Sequence, residues 1–126
     1  MVLLPDAATR KGNTLHVAAE GDLRYLAGFN SKDNWAEWSL QVPKAGRYQV
    51  ELSYACDNQN GGDFVVSSGK ESLKAKSTGT GGWSAWKPLA AGQLQLAAGT
   101  VTITLKPTKT TGGLMNLRSL TLTPVP

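Results

Sequence analysis

A chain of 126 residues with 40% hydrophobic and 17% charged side chains is large enough for one packed core and is unlike a disordered polymer. Its net charge of +4 comes from scattered basic residues, with Lys70, Lys74 and Lys76 the one loose cluster, so the gathered basic face of a nucleic-acid binder is not expected. No apolar run approaches the ~18–20 residues of a membrane-spanning helix, so no membrane partner is expected either.

The opening Met1-Val2-Leu3-Leu4-Pro5 is too short for a secretion signal. That leaves an intracellular protein or a piece of a longer secreted chain. Residues 1 to 12 show no clear periodicity. Asn13 to Ala19 and Leu23 to Phe29 read as strands, the second diluted by Ala27-Gly28. The organising stretch runs from Asp33 to Tyr54. Trp38, Leu40 and Val42 alternate with polar residues, and so do Tyr48, Val50, Leu52 and Tyr54. Period-two alternation on both sides of Pro43-Lys44-Ala45-Gly46 predicts two antiparallel strands, each with one buried and one wet face. No helical pattern exists to cover the apolar faces, so a second sheet must do it.

Asp57 to Asp63 is a loop by its Asn and Gly content. Phe64–Ser67 and Ser72–Lys76 flank a turn and read as a hairpin. Ser77 to Gly82 is a second polar loop, followed by strands at 86–89, 93–96 and 100–105. Pro107 to Gly113 is a third loop. Leu117, Leu120 and Leu122 close the chain, and their change of parity predicts a bulge. Nine or ten short strands and no convincing helix predict an all-β sandwich, a jelly roll, as one domain over 1–126.

Reactive groups are sparse. His16 and Cys56 are single of their kind, no metal-ligand spacing occurs, and Ser and Gly motifs for acyl or phosphoryl transfer are absent. Cys56 has the buried parity of a small core residue. Asp33, Glu37, Asp57 and Asp63 read as turn-forming or exposed carboxylates rather than as a glycosidase pair. Aromatic residues near loops carry more. Trp38 and Trp86 read as core, while Trp35 stands at a strand mouth, Trp83 follows Gly81-Gly82, and Phe29 ends a strand. A bare ring can stack on the C–H face of a sugar while amides such as Asn116 or Asn58 bond its hydroxyls.

Five pieces in order resemble a known family: Trp35-Ala36-Glu37-Trp38, Val42-Pro43-Lys44-Ala45-Gly46-Arg47-Tyr48, Gly61-Gly62-Asp63-Phe64, Thr80-Gly81-Gly82-Trp83 and Ala98-Gly99-Thr100-Val101. Together they are similar to carbohydrate-binding modules of the family 6 and family 35 kind, the galactose-binding-like domains appended to bacterial glycoside hydrolases and sulfatases. The resemblance implies a non-catalytic module that binds carbohydrate and tethers a parent catalytic domain of the same secreted or periplasmic chain. It implies a cleft of Phe29, Trp83 and Asn116, with Trp35 as a further contact and Phe29 lacking the hydroxyl of the family's tyrosine. It also implies a structural calcium. Of the carboxylates such a site needs, only Asp6 stands at the start of this chain, so no metal and no other cofactor is expected. The alternative reading is a docking sandwich with no sugar of its own.

Overall fold

The computed structural model describes all of Met1–Pro126. Eleven strands follow in order: β1 (Val2–Leu3), β2 (Thr9–Lys11), β3 (His16–Glu20), β4 (Leu23–Ala27), β5 (Trp35–Val42), β6 (Gly46–Cys56), β7 (Gly61–Ser68), β8 (Glu71–Ser77), β9 (Gly82–Leu96), β10 (Gly99–Thr111) and β11 (Asn116–Pro124). One sheet has the order β3-β4-β11-β6-β9, with β1 adding to β11. The other has the order β2-β5-β10-β7-β8. The sandwich matches the expected class. The extra strands are β1 and β2, whose two and three residues are too few to show alternation.

The wet and dry faces of the organising stretch are as read, with Trp38 and Val42 each at 2% exposure and Val50 and Leu52 at 0%. Their pairing is not. β5 bonds to β2 and β10, while β6 bonds to β11 and β9, so the two strands lie in opposite sheets. Pro43-Lys44-Ala45 is a crossing between layers, fastened by the Tyr48 hydroxyl donating to the Lys44 carbonyl at 2.7 Å. Alternation reports which face is buried, and a strand facing its partner across a core alternates as cleanly as one beside it. Val50, Leu52, Leu120 and Leu122 from one sheet join Trp38, Val66, Ile103 and Leu105 from the other in a single cluster. Burial of such a side chain stabilises the fold by about 1.5–3 kcal/mol.

Two predicted breaks do not occur. The strands read at 86–89 and 93–96 are one strand, β9, whose register against β6 shifts between Val50 and Glu51 and again between Tyr54 and Cys56. The loop read from Pro107 is the end of β10, where a bulge between Pro107 and Lys109 accommodates a residue with no N–H to give. The bulge predicted in the last strand lies between Leu117 and Ser119. The hairpin of β7 and β8 turns at Gly69-Lys70, and Gly69 at φ 59° supplies the positive angle a type II′ turn needs at its first central residue.

Alternate connections meet at one rim of the sandwich. Leu114 N donates to Phe29 O at 2.9 Å, Gly61 N to Gly113 O at 3.1 Å, and Thr80 N to Cys56 O at 2.8 Å. Gly28 sits in that rim at φ 96°, where a Cβ would collide with the Thr14 carbonyl, and the Thr14 hydroxyl donates to Gly28 O at 2.7 Å.

The one carboxylate expected near a calcium site is engaged elsewhere. Asp6 pairs with Arg24 at 3.3 Å, and no three His, Cys, Asp or Glu side chains gather where a metal ion could be held.

Two outcomes follow from the packing. Adding a chelator leaves the thermal midpoint unchanged, and a fall of several degrees would reveal a metal ligand set elsewhere. Gly28→Ala lowers stability by about 1–3 kcal/mol in a urea titration, because it forces a side chain into a positive φ and against a carbonyl; an unchanged midpoint would contradict the assigned backbone.

Candidate functional site

The rim is built from side chains that answer backbone groups left over by the strand ends. Thr80, 6% exposed, bonds both ways to Cys56: its hydroxyl accepts from Cys56 N at 2.9 Å and donates to Cys56 O at 3.2 Å. Asn58 Oδ1 accepts from Gly81 N at 3.1 Å, so this amide braces the loop before Trp83, and it does not line the hollow described below. Asn60 bridges two loops, donating from Nδ2 to Asp57 at 3.1 Å and accepting Gly113 N on Oδ1 at 3.2 Å. Ser77 donates to Leu114 O at 2.7 Å. Each bond is worth about 1 kcal/mol net, and leaving a buried partner unpaired costs more.

Trp83 emerges from this frame with 39% of its surface exposed, the largest exposure of any aromatic residue. Asn116 holds its backbone, Nδ2 donating to Trp83 O at 3.0 Å, and the edge of the indole lies against Gly113, where a Cβ would stand 3.1 Å from Cη2. Trp83, Asn116 and Phe29 line one hollow of about 290 Å³, together with His16, Tyr25 and Asn30. Three distant pieces of sequence thus meet at one place.

Their roles differ from the expected ones. Phe29 is 1% exposed, so its ring belongs to the core and cannot act as an open stacking platform. Its buried ring fills the space under the hollow, as an apolar ring without a hydroxyl does most favourably. Asn116, 9% exposed, spends its donor on Trp83 and acts first as a brace. Trp35 does not line the hollow at all. It lies on the outer face of the other sheet, its Nε1 donating to Glu37 at 2.6 Å and its ring covered by Lys106 Nζ at 4.4 Å from the centroid. Trp86, read as core, is half-buried and packs at 5.4 Å, tilted by 59°, on Tyr25.

Sequence reasoning missed His16, Tyr25 and Asn30. The first two alternate with Leu15 and Leu26, 7% and 0% exposed, so their outward parity was legible. What was hidden is that the start of β9 leans over that face, with Ser84 donating to Glu20 of β3 at 2.7 Å.

Catalytic groupings are not assembled. Cys56 is fully buried, and burial first and the neighbouring Asp57 second push its thiol up, so it is a poor nucleophile. His16 is exposed and bonded to Thr14 O, not to Cys56. Asp63 pairs with Lys76, Glu37 accepts from Trp35, Asp57 ties its own loop, and none of these, nor Asp33, lines the hollow.

Residues 6–124 match the sequence profile described as carbohydrate binding module (family 6). A family 35 carbohydrate-binding module from Clostridium thermocellum superposes with a TM-score of 0.83 at 15% identity, covering 99% of this chain and 98% of that one. A β-1,3-glucan-binding family 6 module from Bacillus halodurans gives 0.76 at 17% identity over 98% and 95%. A β-agarase of Microbulbifer thermotolerans is 30% identical over 60 residues, 47% of this chain, and the matched stretch is 14% of that enzyme's length. The chain is therefore a member of family 6 of the carbohydrate-binding modules, a non-catalytic carbohydrate-binding domain.

Proposed function

We propose that the hollow at the loop rim is where this module takes its saccharide, and that the domain holds a glycan-active enzyme of the same chain against poly- or oligosaccharide. The observation that carries the reading is Trp83, a bare indole fixed from behind and flanked by polar groups with no partner in the protein. Stacking against the ring supplies the apolar contact, and Asn30, Tyr25 and Asn116 Oδ1 supply bonds to hydroxyls. The volume stands at the lower end of small-molecule sites, which suits a short stretch of glycan. One ring and a few such bonds support millimolar to micromolar binding, about 4–8 kcal/mol. The β-agarase and a β-(1,4)-mannanase of Podospora anserina, of which this chain covers 28% at TM-score 0.71, support the same setting: one domain cut from a larger secreted or periplasmic enzyme.

A docking role without sugar has one supporting observation, the exposure of Met1, Val2 and Leu4 along one edge. Those residues lie on β1 and beside it, outside the hollow, and they leave the case for Trp83 untouched.

A pair of variants tests the hollow. Trp83→Ala abolishes retention on a glycan affinity gel while the thermal midpoint stays almost unchanged. Gly113→Ala, at a position whose φ is not positive, pushes the indole by a few tenths of an ångström and weakens retention without unfolding the domain. Retention surviving Trp83→Ala, or a large loss of stability, would remove Trp83 from the binding role.

A further inference from the structure

Resting on the saccharide reading of the hollow, we infer that the sugar it takes is uncharged, and that His16 enforces this by presenting a bare acceptor nitrogen to a hydroxyl. None of the 11 residues lining the hollow is Asp, Glu, Lys or Arg. In a chain of net charge +4 this is a local exclusion and not a lack of cations. Lys11, Lys74, Lys76 and Lys106 all stand exposed on strands of the five-stranded sheet, and none of them lines the hollow.

His16 supplies the sign of the preference. Its Nδ1 lies 2.8 Å from the Thr14 carbonyl oxygen, which can only accept, so Nδ1 carries the proton. In the neutral imidazole Nε2 is then an acceptor, and it has no partner in the protein. A sugar hydroxyl donates to it. To the neutral ring a carboxylate or a sulfate ester presents only acceptor oxygens, which meet Nε2 lone pair to lone pair. Such an anion would also give up water with no cation or charge-assisted donor in the wall to replace it. The remaining polar groups, the Tyr25 hydroxyl, the Asn30 amide and Asn116 Oδ1, are neutral and serve hydroxyls equally well.

The prediction is read on an array of neutral glucans, galactans, xylans and mannans, each beside a carboxylated or sulfated counterpart, at one mildly alkaline pH. Wild type, Trp83→Ala, His16→Ala and His16→Lys are compared, and only signal that Trp83→Ala removes is assigned to the hollow, since the lysine-bearing sheet can retain polyanions by itself. Binding dependent on Trp83 falls on neutral polymers and is lost on their charged counterparts. His16→Ala weakens the neutral ligand about tenfold, and His16→Lys admits the carboxylated one. Equal or stronger Trp83-dependent binding of a charged counterpart overturns the inference, as does unchanged neutral binding by a folded His16→Ala. If no polymer shows any Trp83-dependent signal, the hollow itself is not the saccharide site, and the earlier reading fails instead.

Discussion

Cys56 and Thr80 meet where β6 ends and the approach to β9 begins, and the exposed face of the molecule depends on that meeting. Thr80 answers the amide and the carbonyl of Cys56 at once, with bonds of 2.8 Å to 3.2 Å in a region closed to water. A threonine hydroxyl can both donate and accept, which is what a strand end with two unspent backbone groups requires. With the loop tied there, Gly81 at φ 116° turns the chain outward and Trp83 has nowhere to go but the surface. A tryptophan left in that position has no core to enter, because Phe29 and Met115, each at 1% exposure, already fill the space beneath it. Exposure of the indole is thus a consequence of packing below it and bonding behind it.

The sandwich was legible because its evidence is local. Alternation in Tyr48, Val50, Leu52 and Tyr54, turn residues at Gly69, and the parity change before Leu120 each report on a few neighbouring residues, and each agrees with the coordinates. Partner choice was not legible. Nothing local distinguishes β5 beside β6 from β5 opposite it, and Pro107 looks like a strand breaker until a bulge in β10 accommodates it. The site divides in the same way. The Gly-Gly-Trp sequence announces a loop aromatic, whereas the burial of Phe29 and the arrival of Tyr25 and His16 are set by where distant strands cross. Trp35 was the misleading case. A ring at a strand mouth looks available, but here its indole N–H is given to Glu37 and its face to Lys106.

The chemistry of the rim explains why binding, and not turnover, is the outcome. General acid–base work needs a titratable group close to a reacting bond and tuned by its surroundings. Asp6, Asp63 and Asp57 are spent on Arg24, Lys76 and loop amides, no carboxylate lines the hollow, and the thiol is sealed in the core. What remains in the hollow is an apolar plate and neutral hydrogen-bonding groups, which can hold a polyhydroxylated ligand and do nothing further to it.

The four indole N–H groups give four separate reporters, one in the core, two on opposite outer faces and one at the rim. The account is tested most directly by titrating a retained oligosaccharide into isotope-labelled protein and following those signals by NMR. The Trp83 signal is predicted to move in a saturable way while those of Trp35 and Trp38 stay still. Movement of Trp35 with Trp83 unaffected would contradict it.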